Sequence, residues 1–327
     1  MTTTMVIFVA LALLFDFLNG LNDSANIVAT IIASRAMNPR VALYVVAVAE
    51  FVGPFLFGVA VARTIGKGIV LPELVTMSMV FSALISAIVW SLLTTVFGIP
   101  SSSSHGLIGG IIGAVIFGLG PQYILMDGLL KILIVLFISP VLGLLVGYLT
   151  TKLVYFLARN ASMKINWFFK KIQIFTGIGL ALSYGANDAQ KTMGIITLGL
   201  VSSGFLTDFV VPIWVIAASA GAIALGTAFG GWRVIRTLGG KFYKIRPVNG
   251  FCTQLSSAAV ILGAALLGGP VSTTHVVSST ILGVGSAERV NKVRWGVAGN
   301  IAAAWLVTIP ATALVSGLVY EIIMRLF

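Results

Sequence analysis

The stretch GLNDSAN at residues 20–26 places an amide and a carboxylate, Asn22 and Asp23, inside a run that is otherwise apolar enough to cross a membrane. A near copy, GANDAQK, follows at residues 185–191 with its Asn-Asp pair in the same places. Placing an ionised acid in a bilayer costs at least about 2.5 to 3.5 kcal/mol. Two acids at matched positions therefore indicate a function, and they suggest that the chain consists of two related halves.

The composition around these stretches is that of an integral membrane protein. Of the 327 residues, 58% are hydrophobic and only 9% are charged. Apolar runs such as residues 41–62 and 129–150 reach the roughly 17 to 25 residues that cross a bilayer as a helix. They lack the alternating pattern of a membrane barrel. We expect an all-α polytopic membrane protein, and because the first run lacks a basic region and a cleavage site, we expect it to remain as a span.

The charge and the cysteine content exclude several other classes. The net charge is +11, but the basic residues lie in short loops between apolar runs. The preference of basic loops for the cytoplasmic side explains this pattern without a nucleic acid partner. Cys252 is the single cysteine and there are two histidines, so neither an internal disulfide nor a Cys/His zinc site is expected. We predict no bound cofactor.

Further matching stretches extend the repeat over nearly the whole chain. FGIPSSSSH at residues 97–105 parallels LGGPVSTTH at 267–275, and RTIGKGI at 63–69 parallels RTLGGKF at 236–242. Together with the Asn-Asp pairs, these matches lie 165, 170 and 173 residues apart and occur in the same order. Such self-similarity indicates an internal duplication.

The distribution of basic residues predicts the orientation. Fifteen of the 20 lysines and arginines fall in four candidate cytoplasmic loops, residues 35–40, 152–171, 231–246 and 285–294. The opposite loops, 120–127 and 202–208, carry an acid each and no base, whereas loop 63–73 is close to neutral. This distribution of basic residues predicts that both termini lie on the outer side of the membrane. We expect the chain to lie in the cytoplasmic (inner) membrane.

This orientation requires two segments to enter the membrane and return on the same side. Residues 74–119 and 250–285 are then re-entrant helical hairpins, and each half has three spans plus one hairpin. Three crossings invert the second half relative to the first, as in many secondary transporters. We therefore predict an inverted repeat at 1–151, a basic cytoplasmic linker at 152–171 and a second inverted repeat at 172–327.

The Asn-Asp pairs are predicted to bind a cation. A glycine closely precedes each pair, so we expect the first span of each half to be interrupted there, with carbonyl oxygens exposed beside the carboxylate. A simpler alternative is that each acid caps a half-helix or pairs with a base, as Asp188 would with Lys191. The matched positions favour a cation site made by Asn22, Asp23, Asn187 and Asp188.

The two hydroxyl-rich stretches are predicted to bind an anion. Each follows a proline and reads as the start of a half-helix, where free N–H groups and the helix dipole attract anions. We assign the anion to Ser101, Ser102, Ser103, Ser104, Gln190, Ser272, Thr273 and Thr274. Asn26, His105, Lys191 and His275 are accessory positions; a structural role is favoured for both histidines, and the roles of Lys191 and Asp16 stay open.

In these motifs the sequence resembles the inorganic phosphate transporter (PiT) family over almost its whole length. The paired G-x-N-D boxes and the two hairpin motifs occur in the family's order. The resemblance implies symport of phosphate with sodium or protons, often in a homodimer, and it implies importance for Glu50. Where some members carry an acid before the second hairpin tip, this chain has Gln254. We include Glu50 and Gln254 in the predicted sodium set.

The predicted function is import of phosphate by symport with sodium, the co-substrate, through alternating access to a central site. Clustered amide, hydroxyl and carboxylate oxygens favour sodium over protons. Proton coupling, sulfate as the substrate and an anion channel remain alternatives. A hydrolase using Ser104 and His105 is disfavoured, because neighbouring helical side chains point about 100° apart. We expect no enzyme activity.

Overall fold

The computed structural model describes residues 2–97, 102–162, 164–230, 246–293 and 295–326. These residues contain no β-strand, which confirms the all-α prediction. They form the helices α1 (Thr3–Ala33), α2 (Pro39–Phe57), α3 (Ala60–Gly68), α4 (Met77–Phe97), α5 (Ser103–Gly118), α6 (Met126–Leu157), α7 (Ile165–Ser202), α8 (Ile213–Phe229), α9 (Pro247–Leu266), α10 (Thr273–Glu288) and α11 (Trp295–Leu326). The second copy of the RTIGKGI motif and Ser101 lie outside the described residues.

Several helices are long and apolar enough to cross a bilayer. Among the described residues these are α1, α2, α4, α6, α9 and Trp305–Leu326 within α11. α5 and α8 are also apolar but have only 16 and 17 residues. The prediction of a polytopic membrane protein is confirmed. α4 and α9 have 21 and 20 residues, enough by length alone to cross a bilayer. That the two hairpins are re-entrant therefore stays a prediction.

The prediction that the first span of each half is interrupted is wrong. α1 runs through GLNDSAN as one helix of 31 residues, and α7 runs through GANDAQK as one helix of 38. The glycines serve close packing instead of unwinding. A Cβ at Gly20 would lie 2.1 Å from the carbonyl oxygen of Ile223, and one at Gly185 would lie 2.0 Å from that of Glu50. The missing side chains let α8 approach α1 and α2 approach α7.

α1 and α7, the helices that carry the Asn-Asp motifs, cross each other antiparallel. Near the start of α1, Phe8 packs on Gly199 near the end of α7. Just past the end of α1, Ser34 donates a hydrogen bond of 2.5 Å to Gln173 near the start of α7. Two helices of similar sequence therefore run in opposite directions through the centre of the molecule.

Several helices pack mainly against helices of the other half. α1 lies against α8 and α2 against α7, while α5 packs on α11 and α10 packs on α6. α4 and α5 form an antiparallel hairpin, and α9 and α10 form the corresponding pair. The interfaces of α5 and α10 are close: a Cβ at Gly113 would lie 2.1 Å from the carbonyl oxygen of Ala313, and one at Gly283 equally near that of Leu144.

A buried polar layer separates two apolar clusters along α1 and α7. In α1 the residues from Met5 to Phe15 belong to one cluster and those from Ala25 to Ile31 to the other. Asp16, Asn19 and Asp23 lie between them and are at most 5% exposed. On α7 the change from one cluster to the other falls between Tyr184 and Ala186, directly before Asn187 and Asp188, so the polar residues of both helices lie close to the boundary between the clusters.

Candidate functional site

The starts of α5 and α10 meet beside this polar layer. Ser102 and Ser272 are their N-caps, and each hydroxyl accepts a hydrogen bond from the backbone N–H three residues further on, at 3.2 and 3.3 Å. Ser104 Oγ donates to the carbonyl oxygen of Val271 at 2.8 Å, which joins the two tips directly. The predicted convergence of two helix N-termini is therefore present in the described residues.

Asp23 connects the motif on α1 to the second hairpin. Its Oδ1 accepts hydrogen bonds from Thr274 Oγ1 at 2.8 Å and from Asn26 Nδ2 at 2.9 Å. Asn26 also donates to Thr274 Oγ1 at 3.1 Å, which closes a triangle of three side chains. Only neutral groups contact the carboxylate in this triangle, so its charge has no direct counter-charge there.

A small cleft leads to Asp23. It contains about 300 Å³ of empty space when the open solvent at its mouth is included. Ser103 of the first hairpin tip and Ser91 of α4 contribute hydroxyl groups to its wall. Asn22 lines it as well and donates to Thr95 Oγ1 at 2.9 Å. Polar residues of α1, α4 and α5 therefore line the same cleft as Asp23.

Asn187 occupies the position on α7 that corresponds to Asn22, but its side chain makes different contacts. Its Nδ2 donates to the carbonyl oxygen of Gly269 at 3.1 Å, and its Oδ1 accepts from the backbone N–H of Val271 at 3.3 Å. The side-chain amide thus satisfies the backbone of the turn that precedes α10. Asn187 holds the second hairpin tip in place.

Asp188 and Lys191 form an ion pair inside the protein. Lys191 Nζ donates to Asp188 Oδ1, and both side chains are at most 1% exposed. The simpler alternative for Asp188, pairing with the base three residues on, is therefore the contact present in this structure. Thr273 of the second hairpin faces the same carboxylate. Lys191 thus supplies a counter-charge to Asp188, whereas Asp23 has only neutral hydrogen-bond donors in its triangle.

Glu50 is completely buried in the middle of α2. Its Oε2 accepts a hydrogen bond of 2.5 Å from Thr227 Oγ1 on α8, and Oε1 has no hydrogen-bond partner among the described residues. Thr227 also donates to the carbonyl oxygen of Gly20 at 3.1 Å. The close approach of α2 to α7 at Gly185 brings Glu50 to the same layer as Asp23 and Asp188.

The two glutamines of the predicted site are engaged elsewhere. Gln190 accepts from the backbone N–H groups of Val61 and Ala62 at the start of α3, and it donates to the carbonyl oxygens of Gly58 and Ala186. Both of its donors are used by the backbone, so none is left for an anion. Gln254 donates to Thr30 Oγ1 at 2.9 Å and accepts from Thr176 Oγ1 at 2.6 Å, about two helical turns from Asp23.

The two histidines lie together behind the hairpin tips. Their ring centroids are 4.6 Å apart. His105 Nδ1 lies 2.8 Å from Ser102 Oγ, and the ring of His275 stacks on Trp305 at 3.8 Å. Neither ring nitrogen of His275 has a hydrogen-bond partner among the described residues, so the structural role that the sequence favoured stays a prediction.

Sequence reasoning did not identify Thr227 and Thr192, which donate hydrogen bonds to buried carboxylates, or Ser219, which lies beside Asp16. A single hydroxyl residue in an apolar helix is common, because its side chain can bond to its own helix backbone. The sequence therefore did not distinguish these three residues from ordinary hydroxyl residues of apolar helices. Asp16 did give a signal, as an acid inside an apolar run, but the sequence did not show what it faces.

The comparison with known proteins agrees with this geometry. The model of the phosphate transporter family matches residues 19–316. A probable low-affinity inorganic phosphate transporter of Rhizobium meliloti is 46% identical over 314 residues, covering 95% of this chain and 94% of the relative. A protein of the same description from Bacillus subtilis is 42% identical, covering 98% of both chains.

The fold and the sequence lead to the same group of proteins. A solved structure described as the sodium-dependent phosphate transporter matches with a TM-score of 0.90 and 28% identity, covering 100% of both chains. These relatives are transporters and not enzymes, in agreement with the prediction of no enzyme activity. The chain belongs to the phosphate transporter family.

Proposed function

We propose that this protein imports inorganic phosphate by symport with sodium. The observation that carries the proposal is the triangle of Asp23, Asn26 and Thr274, in which a buried carboxylate without a counter-charge contacts the tip of the second hairpin. A cation at Asp23 would then lie next to an anion held by the hairpin. The sodium-dependent phosphate transporter with the same fold supports sodium as that cation.

The phosphate site in this proposal is formed by the two hairpin tips. The first N–H groups of α5 and α10 have no partner within their helices, and the positive ends of both dipoles point toward the tips. The hydroxyl groups that would bind phosphate are those of Ser102, Ser103, Ser104, Ser272, Thr273 and Thr274, with Ser101 from the sequence prediction. Gln190 is left out, because its amide is occupied by backbone groups.

Sodium is required because the polar layer repels phosphate without it. Asp23, Glu50 and Asp188 contribute three negative charges when ionised, and Lys191 compensates one of them. At about 5 Å and an effective dielectric constant near 20, each remaining carboxylate would repel a phosphate charge by roughly 3 kcal/mol. Sodium near Asp23 and Glu50 reverses the sign of this interaction, so the occupancies of sodium and phosphate depend on each other. Asn22 and Asp188 lie in the wider set of groups around this sodium, whereas the amides of Asn187 and Gln254 are engaged by other partners and are left out.

We further propose that the two halves are inverted repeats with re-entrant hairpins and that the chain works as a homodimer in the cytoplasmic membrane. The antiparallel crossing of α1 and α7 supports inversion, because helices of similar sequence run in opposite directions. The paired contacts of Gly20 with Ile223 and of Gly185 with Glu50 support a two-fold relation between the halves. Movement of the hairpin tips would open the site to one side at a time.

Uptake of radiolabelled phosphate into proteoliposomes tests the proposal. We expect an inward sodium gradient to drive accumulation and an inward proton gradient alone to drive much less. Excess unlabelled sulfate should compete weakly compared with unlabelled phosphate. Accumulation that neither gradient drives would overturn symport, and equal competition by sulfate would overturn phosphate selectivity.

A further inference from the structure

Asp16 is a buried carboxyl group that the proposed phosphate and sodium sites do not use. It lies on α1 about two turns before Asp23 and is 0% exposed. Its Oδ1 accepts a hydrogen bond of 2.6 Å from Thr192 Oγ1 on α7. Its Oδ2 has no hydrogen-bond partner among the described residues. The group therefore has one unused oxygen atom in the interior of the protein.

A second unpartnered atom faces this carboxyl group from α8. Ser219 Oγ is fully buried, lies next to Asp16, and also has no hydrogen-bond partner among the described residues. The groups next to the Asp16 carboxyl group are thus two neutral hydroxyl groups, from Thr192 and Ser219. A buried carboxylate without a counter-charge is strongly unfavourable, whereas a neutral carboxyl group can donate through Oδ2 to Ser219 Oγ.

The charged groups around Asp16 come from three helices. α7 contributes Asp188 and Lys191, which already pair with each other, and α2 contributes Glu50. α1 itself contributes Asp23 on the side of the cleft. α8 contributes the uncharged hydroxyl group of Ser219. The described residues of α4 contain no titratable side chain. The acids outnumber the single lysine, so ionising Asp16 would add to an existing excess of negative charge.

The polar set around Asp16 is not required by the fold. The repeat offset of 165 relates Asp16 to Ala181 and Thr192 to Ile27, and the offset of 173 relates Ser219 to Val46. These three counterparts are all buried apolar residues of one core cluster. The same packing position is therefore filled by apolar side chains in one half and by an acid with two hydroxyl groups in the other.

We propose that Asp16, with Ser219 as its hydrogen-bond acceptor, is a proton-binding site of the transport cycle. The proposal rests on the proposed function and adds a proton to the sodium at Asp23. One proton from the aqueous side binds Asp16 Oδ2, and the same proton leaves when the site opens to water again. Its donor set is too small for a hard metal ion such as calcium or magnesium, which takes six or more oxygen ligands. The proton removes a negative charge that would otherwise oppose phosphate.

Infrared spectroscopy of the reconstituted full chain tests the protonation state. We expect the carbonyl band of one protonated carboxyl group to disappear in Asp16→Asn and to remain in the control Asp127→Asn, which changes an exposed acid. If Asp16→Asn does not fold, Ser219→Ala gives a second test, because loss of the acceptor should shift this band to higher frequency. An unchanged carboxyl band in folded Asp16→Asn, or in folded Ser219→Ala, overturns the proposal.

Phosphate uptake over a series of pH values tests whether this proton takes part in transport. Asn mimics the protonated group, so the ratio of wild-type to Asp16→Asn uptake should fall as the pH rises, by at most about tenfold per pH unit for one proton. The ratio cancels the ionisation of phosphate itself. A constant ratio, or loss of sodium dependence in Asp16→Asn, overturns the proposal. If wild-type protein shows no gradient-driven uptake, the symport proposal fails separately, and the infrared result still decides the state of Asp16.

Discussion

At Asp23, a carboxyl group accepts hydrogen bonds from two neutral donors and faces a cleft. Asp23→Asn keeps a side chain of the same shape but removes the charge that we assign to sodium binding. We expect the sodium concentration for half-maximal phosphate uptake to rise about 10- to 100-fold, the equivalent of about 1.5 to 3 kcal/mol for an interaction with a charged group. Asp127→Asn, at an exposed position, is the matched control and should behave as wild type. Wild-type sodium dependence in Asp23→Asn would contradict the assignment.

The buried pair of Asp188 and Lys191 predicts a different result for stability. Lys191→Gln leaves Asp188 without its counter-charge, and breaking a buried pair from one side costs about 3 to 5 kcal/mol. Removing both charges in Asp188→Asn with Lys191→Gln should recover most of this loss. Thermal unfolding in detergent measures both effects, with Lys131→Gln as an exposed control. A double variant that is as unstable as Lys191→Gln alone would show that the pair is not coupled.

At the residue scale, the sequence assigned Asp23 to a cation site and Thr274 to an anion site on separate signals, an acid in a span and a hydroxyl-rich helix start. The structure shows that the two side chains share a hydrogen bond, which the sequence did not predict. Gln190 and Gln254 lacked such a signal. A glutamine side chain can satisfy backbone groups, hydroxyl groups or ions equally well, so its residue type does not indicate its partner.

Among the elements, the close contact between α2 and α7 depends on Gly185. A side chain there would meet the backbone of Glu50, which cannot move without displacing α2. We expect Gly185→Ala to destabilise the protein by about 1 to 3 kcal/mol, as overpacking does in protein cores. Gly179→Ala on the same helix is the control, because a Cβ there has no neighbour within 4 Å. A smaller loss of thermal stability for Gly185→Ala than for Gly179→Ala would contradict this role.

The sequence predicted the two helical hairpins but not where helices break: the run 41–62 is divided between α2, which ends at Phe57, and α3, which begins at Ala60, and the predicted linker 152–171 is mostly helical. Pairing of α4 with α5 and of α9 with α10 followed from the repeated proline and hydroxyl motifs. The interruption at the Asn-Asp pairs did not occur, because a glycine in a helix has two uses that look identical in one sequence. It permits unwinding, and it permits a neighbouring backbone to come close. Only the position of the neighbour, such as Ile223 beside Gly20, distinguishes them.

For the whole molecule, the single cysteine allows the proposed orientation to be measured. Cys252 is buried, so wild-type protein should react little with a membrane-impermeant maleimide. Gln122→Cys and Ser162→Cys place thiols at exposed positions in loops of opposite charge character. In intact cells we expect labelling of Gln122→Cys and not of Ser162→Cys. Labelling both after the cells are opened is the control, and the reverse pattern in intact cells would invert the assigned orientation.

The pairing of α5 with α11 and of α10 with α6 has a consequence for biosynthesis. The glycine face of α5 contacts α11, which the ribosome makes about 180 residues later, whereas α10 finds α6 already inserted. The first hairpin therefore has to remain in the membrane without its packing partner during most of translation. Truncation before α11 should leave this hairpin accessible to the quality-control proteases of the cell, while supply of α11 as a separate segment should protect it. Completion of the first half of the chain thus depends on the last helix of the second.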